Sequence, residues 1–347
     1  MKRTLTKVII LSLLVTCLCG CSGKEVQTQV ENKSQGEEKL KIGMCFDSFV
    51  IERWQRDRDV FVQAAKELGA EVNVQNANGD VEEQKKQIDY FIKKDMDVIV
   101  IVCIDSDALA DSVKDAKDAG IKVVAYDRLI NNADIDLYVS FDNEMVGTLM
   151  GQALVDNGLA GGKVVMIGGS PTDNNVSLVN NAFMAVMEEN EVGILDITYC
   201  DGWRAELASD YVYANKDIIS ECDAIMCGND NLASQVVSAL SVQRLAGQIA
   251  VTGQDADLEA CQRIVEGTQL MTVYKPVEKL AHRAAECSVA LAEGKDLSGS
   301  DLGTINNGKF DVPYVKLEPI MVTKDNIDET IINSGFHMKD EVYLNVK

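Results

Sequence analysis

The sequence predicts an α/β fold in which two lobes each contain a doubly wound parallel sheet. From Leu40 onward, short β-branched strands alternate with amphipathic helical stretches, and this alternation runs twice, each time over roughly a hundred residues. The stretch from Val98 to Val102 is continuously apolar, which is typical of a parallel strand covered by helices on both faces. We therefore expect two open sheets with their helices packed on either side.

The first run contains four strands and the amphipathic stretches that separate them. Helices are predicted at about 52–68, 81–95 and 106–119, and Asp80 is a suitable N-cap for the second of them. A fifth, shorter strand follows the run. The predicted strands are Lys41–Phe46, Glu71–Gln75, Val98–Ile104, Ile121–Tyr126 and Tyr138–Phe141.

The second run repeats the pattern and is followed by a shorter return. The return consists of a strand at Met271–Tyr274, a helix at Pro276–Glu293 and an extended segment at Val312–Met321. Periodicity alone leaves open which lobe each of these three segments joins. The strands of the second run are Lys163–Ile167, Gly193–Tyr199, Ala224–Cys227 and Gln248–Thr252.

Length and charge narrow the class of protein. A chain of 347 residues exceeds one typical hydrophobic core and favours two domains. The formal net charge is −22, whereas nucleic acids and anionic membrane surfaces attract basic proteins. We therefore expect neither of them as a partner.

The N-terminus has the pattern of a targeting segment. Lys2, Arg3 and Lys7 precede an apolar stretch that is too short to span a membrane. The sequence Leu18-Cys19-Gly20-Cys21 then resembles a bacterial lipobox, which implies cleavage before Cys21 and a lipid anchor on that residue. The alternative is a plain secretory signal with a chance cysteine. We expect a signal peptide at 1–20, a flexible polar tether at 21–39 and an extracytoplasmic location at the cell membrane.

Cysteines and histidines indicate neither a disulfide framework nor a metal site. Seven cysteines remain beyond Cys21, and they are scattered through apolar strands and helices, which fits small core residues. No C-x-x-C pair occurs, and His282 and His337 are the only histidines. We expect no metal and no cofactor.

Polar side chains follow most of the predicted strands. In open α/β sheets ligands bind outside the carboxyl ends of the strands, and Asp127-Arg128 stands at such an end. Carboxylates, amides and guanidinium groups together match the hydroxyls of a sugar, and flat indoles match the C–H faces of a pyranose. Strand ends of this kind carry Asp47, Arg53, Trp54, Asp127, Arg128, Asp142, Asn143, Asn174, Asn175, Asp201, Trp203, Asn229, Asp230, Asp255 and Lys275.

Simpler roles are open for several of these residues, and for Asp127-Arg128 the simpler role is a local ion pair that caps the strand. Asn174, Asn229 and Asp230 stand where helix N-caps are expected, and either tryptophan suits ordinary packing. An enzymatic function is disfavoured, because no Ser-His-Asp arrangement is present. Asp255 and Asp257 are two residues apart in one turn, without the opposed carboxylate of a glycosidase.

Taken in order, six motifs resemble the bacterial D-xylose-binding proteins, which are ribose-type substrate-binding proteins of sugar ABC transporters. The resemblance runs from about Leu40 to Val342 and departs from the family pattern at Arg204-Ala205-Glu206. The motifs are Ile51-Glu52-Arg53-Trp54-Gln55, Ala125-Tyr126-Asp127-Arg128, Ser140-Phe141-Asp142-Asn143, Gly169-Ser170-Pro171-Thr172-Asp173-Asn174-Asn175, Gly253-Gln254-Asp255-Ala256-Asp257 and Val273-Tyr274-Lys275-Pro276.

The resemblance implies a type I periplasmic binding protein fold, with two lobes joined by a three-segment hinge that closes on one sugar. It places the N-terminal lobe at 40–142 plus 276–318 and the C-terminal lobe at 143–275 plus 319–347. The sugar contacts that it implies are Arg53, Trp54, Asp127, Arg128, Asn174, Asn175, Trp203, Asn229, Asp255 and Lys275.

The expected function is that of a monomeric, lipid-anchored receptor that binds D-xylose or a close aldopyranose and presents it to an ABC permease. One alternative is a sensor whose closed lobes contact a membrane histidine kinase or a chemoreceptor. A sugar-responsive repressor core is disfavoured, because it predicts a DNA-binding head and a basic face where this chain has a signal segment and strong acidity.

Overall fold

The computed structural model describes residues 39–346. The predicted signal peptide, nearly all of the predicted tether and the proposed anchor Cys21 lie outside the described residues. Within the described part of the chain, no helix combines the length and apolar character needed to cross a membrane.

The first sheet has seven strands and is accompanied by four helices. The bounds are β1 Lys41–Phe46, α1 Arg53–Glu67, β2 Glu71–Asn76, α2 Val81–Lys93, β3 Val98–Ile101, α3 Ala110–Asp118, β4 Lys122–Tyr126, β5 Leu137–Phe141, α10 Val277–Ala292, β11 Leu302–Asn306 and β12 Asp311–Leu317. The strand order is β11-β12-β5-β4-β3-β1-β2. All neighbours pair in parallel except β11 and β12, which are antiparallel.

The second sheet has six strands and the remaining helices pack around it. The bounds are α4 Asn143–Leu154, β6 Lys163–Gly168, α5 Asn174–Glu189, β7 Gly193–Tyr199, α6 Glu206–Ala214, α7 Lys216–Glu221, β8 Ala224–Cys227, α8 Asp230–Val242, β9 Ala250–Thr252, α9 Leu258–Glu266, β10 Met271–Tyr274, β13 Ile320–Thr323 and α11 Lys339–Val342. The strand order is β13-β10-β9-β8-β6-β7, and only β13 runs antiparallel to its neighbour.

These two sheets confirm the predicted fold class. In each sheet the order of the parallel strands reverses next to the first strand, so β1 and β3 flank the switch point of the first sheet. The corresponding pair in the second sheet is β6 and β8. Ligands of doubly wound folds bind outside the carboxyl ends of the strands at such points.

The apolar strands pack as their sequence predicts. Every residue of Val98–Ile101 is fully buried, because helices cover both faces of the sheet. The seven described cysteines are free and buried in the cores of the two sheets and their helices, where they act as small apolar residues.

Three predicted elements differ from the observed ones. Strand β3 ends at Ile101 rather than Ile104, and α3 begins at Ala110 rather than 106, because the chain between them forms a loop that contacts the other lobe. The predicted segment Val312–Met321 is two strands in different sheets, divided at Pro319, which has no backbone N–H to donate. The edge strand β11 is not predicted, because three of its five residues are exposed and Leu302 and Ile305, its two large apolar residues, do not form a run.

Candidate functional site

The carboxyl ends of the strands in both sheets enclose a cavity of about 30 Å³. Side chains from both lobes line it, and nearly all of them are buried. Eight of the ten predicted site residues lie on its wall: Arg53, Trp54, Asp127, Arg128, Asn175, Trp203, Asp255 and Lys275.

The other two predicted residues do not line the cavity. Asn229 caps α8, since its side-chain oxygen accepts a hydrogen bond from the backbone N–H of Leu232 at 3.0 Å. Asn174 is the first residue of α5, and its backbone N–H donates to the hydroxyl of Ser106 at 3.0 Å. For Asn229, the capping role that the sequence left open is the one that the structure shows.

Arg53 and Asp127 form the central ion pair of the N-terminal wall. Nη1 of Arg53 donates to Oδ2 of Asp127 at 2.8 Å, and both side chains are buried. Burial alone would raise the pKa of Asp127, but the charges of Arg53, Lys275 and Arg128 together hold it below its ordinary value. Asp127 therefore presents a permanent acceptor to the cavity.

Arg128 does not pair with its neighbour Asp127. It contacts Asp47 at 2.9 Å through Nη1 and Asp173 of the C-terminal lobe at 2.8 Å through Nε. Consecutive residues at a strand end point to different sides, and the backbone of Asp127 is in the left-handed region with φ of 63°. The two residues therefore take part in separate ion pairs, Asp127 with Arg53, and Arg128 with Asp47 and Asp173.

The two indoles lie against charged groups and a glycine. The guanidinium carbons of Arg53 and Arg128 are 4.6 Å and 5.6 Å from the Trp54 ring centroid, which favours cation–π contact. The ring of Trp203 lies so close to Gly169 that a Cβ at that position would overlap it. Gly169 therefore provides the space in which Trp203 reaches the cavity.

The C-terminal lobe contributes a strained acidic turn after β9. In this turn Asp255 and Ala256 have φ values of 97° and 55°, both in the left-handed region. Trp203, in the loop after β7, also lies there, with φ of 58°. Non-glycine residues adopt this region at an energetic cost, and such residues cluster at functional sites. Oδ1 of Asp255 lies 3.2 Å from Nζ of Lys275 and 3.9 Å from Nη1 of Arg53, so cations of both lobes face it.

Five polar atoms of the cavity wall make no hydrogen bond among the described residues, although one of them, Oδ1 of Asp255, is in ion-pair contact with Lys275. They include three N–H donors and two oxygen acceptors, all fully buried. A hydroxyl group donates and accepts, so this mixed set suits a polyol, whereas an ion would need one kind of partner. The atoms are Nε1 of Trp54, Nε1 of Trp203, Nδ2 of Asn180, Oε1 of Gln254 and Oδ1 of Asp255.

Three polar wall residues are absent from the predicted set: Asp173, Asn180 and Gln254. Asp173 and Gln254 belong to two of the six motifs that carry the resemblance, and both follow strands whose ends are predicted to face the cleft. Asn180 is different, because it lies within α5 and reaches the cavity only through tertiary packing.

The two lobes touch directly around this cavity. The side-chain amide of Asn175 donates to the backbone oxygen of Asp127 at 2.9 Å, and the hydroxyl of Tyr138 donates to Oδ1 of Asn175 at 3.3 Å. Outside the cavity, the backbone N–H of Ser106 donates to the backbone oxygen of Thr172 at 3.0 Å. The cleft between the lobes is therefore closed.

Comparisons with known proteins agree with this geometry. A family model described as a periplasmic binding protein domain matches residues 42–296. The chain is 44% identical to the D-xylose-binding periplasmic proteins of Haemophilus influenzae and Escherichia coli, and each alignment covers 90% of this chain and 95% of the relative. A solved ABC transporter solute-binding protein from Clostridium phytofermentans with bound β-D-glucose has a TM-score of 0.79 at 28% identity, covering 87% of this chain and 99% of that one.

Proposed function

The chain belongs to the periplasmic binding protein family, and we propose that it captures D-xylose, or a close aldopyranose, between its lobes. The bound sugar is then delivered to an ABC permease. Its curated relatives are named as sugar-binding proteins rather than enzymes. The observation that carries the proposal is the set of five buried polar atoms, including both indole nitrogens, that make no hydrogen bond in one closed cavity.

Isothermal titration of the chain without its predicted signal peptide and anchor residue, from residue 22 onward, tests this function. We expect saturable heat with D-xylose at a stoichiometry of one, and weaker or absent heat with L-arabinose, D-ribose and D-glucose. Saturable heat with one of the other three sugars and none with xylose would reassign the ligand within the same class. No heat with any of the four would contradict sugar binding.

We propose further that the two lobes exchange the chain at three hinge crossings, near 142–143, 275–276 and 318–319. In support, the first sheet takes its strands from residues 41–141 and 302–317, and the second takes its strands from 163–274 and 320–323. Ligand pockets are commonly about 300–1,000 Å³. A cavity of about 30 Å³ is much smaller, so the lobes must part to admit a pyranose.

Lipid anchoring is also part of the proposal. We propose that the mature chain begins at Cys21, carries a lipid there and acts as a monomer on the outer side of the cell membrane. The lipobox-like sequence supports the anchor. Expression of Cys21→Ser in a bacterial host should release the protein from the membrane fraction, whereas Cys45→Ser, in the folded part, should leave it there. Equal membrane retention of both variants would exclude the anchor.

A further inference from the structure

Asp57 is a buried carboxylate that does not line the cavity but accepts hydrogen bonds from Arg53, which does. It lies one helical turn after Arg53 on α1 and is fully buried. Nothing in its sequence pattern separates it from the other polar residues of the helix. Its position raises the question of what a buried charge does behind the cleft wall, since such charges occur mainly where they are paired.

The contacts of Asp57 fix the plane of the Arg53 guanidinium. Nε of Arg53 donates to Oδ2 of Asp57 at 3.0 Å, and Nη2 donates to Oδ1 at 3.0 Å. This two-point contact constrains the orientation of the guanidinium more tightly than a single hydrogen bond would. The third nitrogen, Nη1, is then directed towards Asp127 and Asp255 at the cavity.

Tyr126 in turn holds Asp57. The hydroxyl of Tyr126 donates to Oδ1 of Asp57, and the phenol is fully buried at the end of β4. Burial and the charge of Asp57 raise the pKa of Tyr126 well above its ordinary value, so the phenol keeps the proton that it donates. Arg53, Asp57 and Tyr126 thus form a chain of contacts from the cavity wall into the core.

We propose that Asp57 and Tyr126 are positioning residues for sugar binding, which act by holding the Arg53 guanidinium in one orientation. This inference rests on the proposed function. An arginine side chain loses much rotamer entropy when a ligand immobilises it, and a guanidinium that is already fixed avoids that loss. A guanidinium has five N–H donors. Asp57 and Asp127 accept three of them, so two remain for ligand hydroxyls.

The alternative role is purely structural, with Asp57 supporting the fold of the lobe independently of how Arg53 is oriented. The two roles differ in what happens when Arg53 is absent. A positioning residue acts through Arg53, so its effect on sugar affinity must vanish in an Arg53→Ala background. A residue that supports the fold of the lobe keeps its effect in that background.

The test compares xylose dissociation constants by isothermal titration. We expect Asp57→Asn to weaken binding by about tenfold to a hundredfold and Tyr126→Phe by a few-fold, because a charged contact is stronger than a hydroxyl contact. Asp301→Asn is the matched control. Asp301 makes the same two-point contact with Arg283, at 2.8 and 3.0 Å, away from the cavity. It should leave affinity within twofold of wild type.

In the Arg53→Ala background, Asp57→Asn should change the dissociation constant by less than about twofold. Wild-type affinity in both Asp57→Asn and Tyr126→Phe would overturn the inference. An undiminished effect of Asp57→Asn in the Arg53→Ala background would also overturn it. If Asp57→Asn does not fold, Tyr126→Phe carries the test, since it preserves both the charge and nearly all of the volume.

A second readout requires no sugar and separates this inference from the proposed function. In Trp203→Phe, Trp54 is the only tryptophan of the chain, and the Arg53 guanidinium lies over its ring. Asp57→Asn in that background should shift the emission of Trp54, whereas Asp301→Asn should not. If wild type binds none of the sugars, the proposed function fails. An unchanged emission in Asp57→Asn would overturn the positioning role.

Discussion

At the scale of single residues, the cleft is built from shared charges rather than isolated pairs. Arg128 bridges Asp47 of its own lobe and Asp173 of the other lobe. Arg53 pairs with Asp57 and Asp127 and also faces Asp255 across the cavity. Each arginine therefore contributes both to the wall of its own lobe and to the contact between lobes.

Arg128→Ala is expected to weaken xylose binding by about 3 kcal/mol, or more than a hundredfold, because it leaves two buried carboxylates without their cation. Burial already raises the pKa values of Asp47 and Asp173, and Arg128 opposes that rise. Isothermal titration measures the loss. Arg283→Ala, which breaks an ion pair outside the cleft, is the control and should bind normally. Near-normal affinity of Arg128→Ala would remove Arg128 from the site.

At the scale of elements, two loops position the cavity wall. One is the turn after β9, which carries Gln254 and Asp255 and is tied to Asp230 at the start of α8. Oδ2 of Asp230 accepts the hydroxyl of Thr272 at 2.7 Å and the backbone N–H of Asp257 at 3.1 Å. The other is the loop after β3, which reaches the N-terminus of α5 in the other lobe.

The Asp230 anchor should make stability depend on pH. Burial raises the pKa of Asp230 from 3.8 to about 7, so between these values the native state holds a proton that the unfolded state has lost. The contribution of Asp230 to the free energy of unfolding is fully present below about pH 4 and is lost as the pH rises through about 7. Asp255 adds to the rise, while Arg263 opposes it.

Urea unfolding of wild type and Asp230→Asn at pH 5 and pH 8 measures this effect. The free energy of unfolding of wild type minus that of the variant should be smaller at pH 8, because only wild type titrates at this position. A difference that is constant, or that grows with pH, would show that Asp230 titrates near its ordinary value.

The loop after β3 should slow the release of the sugar, because it holds the two lobes together. The hydroxyl of Ser106 accepts a hydrogen bond from the backbone N–H of Asn174, and the backbone N–H of Ser106 donates to the backbone oxygen of Thr172. Ser106 therefore caps a helix of the opposite lobe. Ser106→Ala removes one of these contacts. We expect about a twofold to tenfold faster dissociation of xylose, measured by stopped-flow fluorescence, with association little changed.

Ser177→Ala is the control for this experiment, because Ser177 is exposed on the same helix. Unchanged dissociation from Ser106→Ala would mean that the contact between the loops does not hold the closed form.

At the scale of the whole molecule, the sequence predicted the two sheets and most of the cleft for one physical reason. A run of apolar residues predicts a buried strand, and an Asp, Arg or Asn directly after it predicts the end of the strand at which the ligand binds. Ile121–Tyr126, followed by Asp127, is an example. Asp57, Tyr126 and Asn180 were not predicted, because each fits the pattern of its own helix or strand and gains its role from a neighbour distant in sequence. The resemblance to the D-xylose-binding family is confirmed at 44% identity.

The most direct test of the central claim, that xylose binds in the cavity between the lobes, is a titration of intrinsic tryptophan fluorescence. The chain has two tryptophans, Trp54 and Trp203, and both line this cavity. We predict a saturable change in emission with D-xylose in wild type, in Trp54→Phe and in Trp203→Phe. For each protein, the dissociation constant from fluorescence should match the one from isothermal titration. Heat of binding without any change in tryptophan emission would place the sugar outside this cavity and contradict binding between the lobes.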